Sequence, residues 1–290
     1  MTEGAARRVT VLSIAALSEL GVEVSPVDDP EYGDVYLLGP DSERYFLHTL
    51  VETCQTLPDD EWAGYIAFHF RQHFEGMRAP AAAELTEPAL LTQVRTRLQP
   101  DTVIDPALTT SYARPFADNL VVHLCRDLPT TVETLTDQTI ESRDLDLLYQ
   151  AGQRNTDAEP FETEEIPVAD TAAITALEGE SFFIASKALN MKRVVDTVLG
   201  SAAHGVVFSV PHRHLLMLHP VTNLRSTVAV RDMVGYTLGQ ADDAPGGNIS
   251  PHTFFWYGGR VQQITRIDPV EKSIVIESQG MFGEALSRFA

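Results

Sequence analysis

The sequence predicts an α+β fold: a mainly antiparallel sheet with helices packed on one face, divided into two lobes. Three observations carry that expectation. Short apolar stretches such as GVVFSV and LLMLHPV lie a few residues apart, as hairpin partners do. Others, such as LRSTVAVRDMVGYTL, place apolar residues at the three-to-four spacing of a helix. The two patterns are mixed along the chain with several hairpins, which favours antiparallel sheet over a strictly alternating parallel fold.

The first element is a helix, because Val9, Leu12, Ala16 and Leu20 recur at helical spacing. Arg7 and Arg8 precede an apolar run, but Ser13, Ser18 and Glu19 interrupt it, which argues against a secretory leader. GVEVSPVDDPEYGDVYLLGPDSERYF then reads as two short strands broken by Pro and Asp turns. Leu47, Leu50, Val51 and Cys54 share a helical face, and LPDDEW restarts a helix on which Trp62, Tyr65, Ile66, His69 and His73 fall at helical intervals. A proline-bearing segment around a short helix, ALLTQVRTRL, separates the lobes, with the boundary near residue 100: an N-terminal α+β lobe of residues 1–100 and a C-terminal domain of residues 101–290.

Within the second lobe, FADNLVVHLCRDLPTTVETL is expected as a strand running into a helix, and SRDLDLLYQAGQRN as a helix capped at Ser142. DAEPFETEEIPVAD carries six acids and no base and is expected as a solvated loop or edge. SFFIAS follows as a strand, KALNMKRVVDTVL as a helix, GVVFSV and LLMLHPV as antiparallel neighbours, and LRSTVAVRDMVGYTL as a helix. HTFFWY, VQQITRID and SIVIE form a terminal meander.

Composition narrows the function classes. A chain of 290 residues, 44% of them apolar, can build one large core or two modest ones. Forty-one acidic residues against 21 basic give a net charge of -20, which repels nucleic acid and anionic lipid and favours a basic partner, although an acidic surface also serves solubility. Cys54 and Cys125 each lie in apolar runs, as buried reduced thiols do, and no apolar segment approaches the roughly 20 residues that span a bilayer. A cytoplasmic setting follows, with neither membrane nor nucleic acid as partner.

Two segments carry chemical candidates. In the acidic run, Asp157, Glu159, Glu162, Glu164 and Glu165 are the expected contacts for a protein with a basic surface. In GVVFSVPHRHLLMLHPV, His212 and His214 would share a strand face and, with His219, could ligate a metal. A hydrolytic site also needs a further ligand and a polarised water, and no Asp or Glu occurs between Asp196 and Asp232. His69 and His73 have the spacing of a metal pair without the HExxH context, reading HFRQH instead. His123 lies two residues from Cys125, a spacing compatible with a nucleophile pair and more simply with packing. No GxSxG, Gly-rich phosphate loop or CxxC occurs, and no cofactor is called for.

From Asn119 to Ile264 the chain resembles the YtpQ-like bacterial domain of unknown function. NLVVHLCRDLP, SRDLDLLYQAGQRN, FFIASKALNMKRVVDTVL, GVVFSVPHRHLLMLHPV and HTFFWYGGRVQQI follow one another in that family's order. The resemblance implies the fold and an intracellular setting and brings no activity. The expectation is therefore a non-enzymatic acidic interaction protein, an adaptor, chaperone or inhibitor-like chain presenting an acidic face and exposed aromatic residues. The alternative is a metal-dependent hydrolase centred on His212 and His214.

Overall fold

The computed structural model describes residues 3–28, 35–40, 43–102, 109–128, 131–169, 172–242, 247–268 and 273–289. The chain forms two compact units, one of Met1–Pro80 with Leu128–Thr131 and the other of Ala81–Asp127 with Val132–Ala290. The division falls after Pro80, upstream of the boundary near residue 100. The reason lies in ALLTQVRTRL, which is a helix only as far as Gln93 and then a strand that pairs within the second unit.

The first unit contains helix α1 (Glu3–Glu19), strands β1 (Ser25–Asp28), β2 (Val35–Leu38) and β3 (Arg44–Phe46), and helices α2 (His48–Thr56) and α3 (Trp62–Arg78). The strands form one antiparallel sheet in chain order. There are three where two were expected, because the turn after Leu38 separates VYLL from RYF. Val9, Leu50, Val51, Cys54 and Ile66 of the helical faces read from the sequence lie in the core, which Leu17, Leu37 and Phe70 complete, whereas Leu20 is exposed. His69 and His73 on α3 are half-buried against aromatic rings, and burial lowers the pKa of both.

In the second unit, α4 (Glu87–Gln93) leads into β4 (Val94–Pro100), β5 (Arg114–Ala117), β6 (Leu120–Asp127) and β7 (Val132–Thr134). These four strands form an antiparallel sheet with β6 at its centre. A short helix, α5 (Asp137–Ile140), precedes α6 (Leu145–Ala158). The cap of α6 is Asp144 rather than Ser142, since an Asp144 carboxylate oxygen accepts the Leu147 N–H at 3.0 Å. Helix α6 closes the outer edge of β4 with side chains. The Thr156 hydroxyl accepts from Thr96 N–H and donates to Thr96 O, both at 3.1 Å, and Asn155 donates to Val94 O at 2.8 Å. Gly152 permits that approach, for a Cβ there would lie 3.1 Å from the backbone of Arg95 and Thr96.

The larger sheet contains β8 (Glu162–Ala169), β9 (Ala172–Glu178), β10 (Val206–Ser209), β11 (Leu215–Pro220), β12 (Thr253–Tyr257) and β13 (Arg260–Gln263). It is antiparallel throughout in the order β13-β12-β10-β11-β9-β8. Between β9 and β10 run a 3-10 helix (Ala185–Asn190), the single α turn α7 (Met191–Val194) and a π-helical turn (Val195–Leu199). SFFIAS is therefore not a strand. Every residue from Phe183 to Ala188 is buried, so no polar face remains for water, and the strand of this region is the preceding AAITALE.

Helix α8 (Ser226–Asp242) packs Val230 and Met233 on one face of this sheet against Ile174, Val207, Met217 and Phe255. The opposite face, with Val206, Phe208, Leu216, Leu218 and Phe254, joins a core shared with Val122, Leu124, Leu148 and Ile184. The terminal meander ends in a separate hairpin of β14 (Thr265–Asp268) and β15 (Ser273–Ile276), followed by helix α9 (Gly280–Ser287). The antiparallel α+β class read from the sequence is the class observed. No helix among the described residues is long and apolar enough to cross a membrane.

Candidate functional site

The acidic run begins where α6 ends, and a buried lysine fixes that junction. Lys187, 2% exposed, donates from its ammonium to the carbonyl oxygens of Thr156 at 3.1 Å, Asp157 at 3.0 Å and Glu159 at 2.7 Å. These carbonyls lie at the negative end of α6, where a cation is favoured. Burial lowers the Lys187 pKa, and the charges of Asp157 and Glu159 oppose that shift. The first residues of β8 thus leave α6 from an anchored point.

Beyond the anchor, the start of β8, the end of β9, the loop before β11 and the end of α8 enclose an open cleft of about 930 Å³. Glu162, Glu164, Glu178 and Glu180 line it together with His212, His214 and Gln240. Strand register explains the convergence. Glu162 pairs opposite Glu178, and Glu178 in turn pairs opposite Leu215, so residues far apart in sequence share one end of one sheet face. All four glutamates are exposed, and none forms an ion pair with a described residue. No Lys or Arg is among the lining residues. Four carboxylates in no ion pair with a described residue hold a negative potential that favours a cation, opposed in part by Arg213, which bonds His214 of the lining.

The histidines form the floor of the cleft and are already committed. The Nδ1–H of His214 donates to Gly179 O at 3.0 Å, while its Nε2 accepts from Arg213 Nε at 2.9 Å. His212 accepts the His214 backbone N–H on Nδ1 at 3.3 Å and meets the Gln240 carbonyl oxygen through Nε2 at 3.3 Å. A carbonyl only accepts and an arginine N–H only donates, so each ring is held as one neutral tautomer. Burial lowers both pKa values, and the Arg213 charge lowers them further. No ring nitrogen of the pair keeps a free lone pair for a metal.

His219 does not join them. It lies within β11 opposite Val207, and its Nδ1–H donates to Ala173 O at 2.8 Å. The trio His212, His214 and His219 is therefore dispersed by the strand, and no group of three His, Cys, Asp or Glu among the described residues could hold a metal ion.

The five acids expected to meet a partner divide between two settings. Asp157 faces inward, accepting from Gln153 at 2.9 Å and Asn190 at 2.7 Å, and Glu159 pairs with Arg95 at 2.7 Å. Their side chains are only 11% and 12% exposed, so neither offers its charge to a partner. Glu165 is exposed outside the cleft and accepts from the Thr175 hydroxyl at 2.6 Å. Glu162 and Glu164 remain as cleft residues. Glu178, Glu180 and Gln240 join them without having been singled out in the sequence. The apolar run AAITAL ending in EGE was the available signal, since it marks a buried strand whose polar end emerges beside the acidic run.

Cys125 and His123 are packing residues. Cys125 is fully buried beside Thr134, and burial raises its thiol to about 11, far from the thiolate a nucleophile needs. His123 is lowered to about 4, chiefly by burial and secondarily by Arg97. No protein-family model, curated protein or solved structure matches the chain.

Proposed function

We propose that this chain is a cytoplasmic, non-enzymatic interaction protein whose acidic cleft receives a basic segment of a protein partner. The observation that carries the reading is the set of four glutamates, Glu162, Glu164, Glu178 and Glu180, that form no ion pair with a described residue and line a cleft of about 930 Å³ with no cationic side chain among its described lining residues. A lysine paired with one such exposed carboxylate contributes about 0.2–1 kcal/mol. Several contacts together therefore supply useful affinity. The net charge of -20 extends the same attraction to long range and speeds encounter with a basic surface.

Titration of the purified chain with a flexible lysine-rich peptide, beside a glutamate-rich peptide of equal length, tests the reading. Binding of the lysine peptide alone, weakening steadily as salt shortens the screening length, is the expected result. Equal binding of both peptides, or of neither, would contradict it.

A further inference from the structure

We infer that the basic partner binds as an extended strand, adding to the outer edge of β8 as a seventh strand of the large sheet. The inference rests on the cleft reading above and gives it a geometry.

Strand β8 stands at the end of the sheet order, pairing with β9 on one side only. Along Glu162–Ile166, no described group other than β9 hydrogen-bonds its backbone. Such an edge presents a row of donors and acceptors ready for another strand. The outer edge of β4, by contrast, is covered. The outer side of β4 is closed by Thr156, Asn155 and Ser186, whose hydroxyl accepts from Leu98 N–H at 2.9 Å. At β13, the Gln262 side-chain amide ties the strand to α9, donating to Gln279 O at 2.8 Å and accepting the Phe282 N–H at 3.1 Å. β8 has no such cover among the described residues, and Pro167, lacking an N–H, marks the limit of the usable edge.

Charge selects the occupant. A second copy of β8 would set Glu162, Glu164 and Glu165 against their own kind, so self-pairing is disfavoured. A strand with Lys or Arg at alternate positions would instead direct those side chains toward Glu162 and Glu164, on the face where Glu178 also lies. Backbone pairing then supplies generic affinity and the carboxylates supply selection. The partner is thus an extended segment with basic residues two apart, distinct from a helix or a folded basic patch.

The test uses the whole chain and two peptides of about nine residues alternating lysine and threonine, a length that matches a typical strand. One peptide is unmodified; the other is N-methylated at alternate backbone nitrogens, which removes donors and leaves charge unchanged. Affinity is read by titration, and amide hydrogen exchange is followed over Glu162–Ile166. Strand addition predicts at least about tenfold weaker binding by the methylated peptide, with slowed exchange along β8 only for the unmodified one. Equal affinities with unchanged exchange would overturn strand addition while leaving the acidic cleft as the binding site. Failure of both peptides to bind would overturn the strand and the cleft reading together.

Discussion

Glu162 and Glu178 stand directly opposite each other on β8 and β9, two exposed carboxylates in register at the mouth of the cleft. Like charges so placed oppose the pairing that brings them together. Glu178→Gln is therefore expected to raise stability slightly, by about 0.3 kcal/mol at low salt, because both side chains are solvated and screened. Urea unfolding at low and high salt checks this: the gain should shrink as salt rises. A clear loss of stability would mean that Glu178 makes a favourable contact the geometry does not account for.

Lys187 should prove far costlier to alter. Lys187→Met keeps much of the apolar stem and removes the ammonium from three carbonyl oxygens, those of Thr156, Asp157 and Glu159. A loss of about 3 kcal/mol is expected, since carbonyls left unpaired in a buried setting bear their full desolvation penalty. Because the same contacts set where β8 begins, amide exchange in β8 should accelerate more than the global loss explains. A variant as stable as the parent would refute the anchoring role.

How much of this was legible beforehand depends on the reach of the interactions concerned. The β10–β11 hairpin and helix α8 are local patterns, and GVVFSV, LLMLHPV and LRSTVAVRDMVGYTL announce them through their own apolar spacing. ALLTQVRTRL misleads because its strand half is stabilised from outside. The edge of β4 is satisfied by Thr156 and Asn155 of α6, some sixty positions away, and no periodicity in the segment records that. SFFIAS misleads differently, since burial on all sides erases the alternation that distinguishes a strand from a tight helical turn. At the cleft, Glu162 and Glu164 were visible as part of an acidic run. Asp157 and Glu159 in the same run turn inward to Asn190 and Arg95. Only the register of β8 on β9 brings in Glu178 and Glu180.

Acid should weaken the fold through its buried histidines. Burial lowers the pKa of His123 to about 4 and lowers those of His212, His214 and His219 in the same direction. The unfolded chain takes up protons near pH 6.5 while the native state refuses them, so stability is complete above that pH and falls as pH drops toward 4. His123 alone accounts for about 3 kcal/mol of that fall, from its shift at 1.36 kcal/mol per pH unit. Denaturant midpoints from pH 7 to pH 4 should show the decline, and His123→Leu should flatten it whatever its effect at neutral pH. Parallel curves for parent and variant would remove His123 from the explanation.

The most direct test of the acidic cleft compares the parent chain with the variant in which Glu162, Glu164, Glu178 and Glu180 are all changed to Gln, using one lysine-rich peptide at low salt. The fold should persist, because all four side chains are exposed and none forms an ion pair with a described residue. Binding should weaken at least about tenfold, a difference of roughly 1.4 kcal/mol, and the two proteins should converge as salt rises. An unchanged affinity in the folded variant would show that the peptide is held elsewhere and contradict the cleft as the binding site.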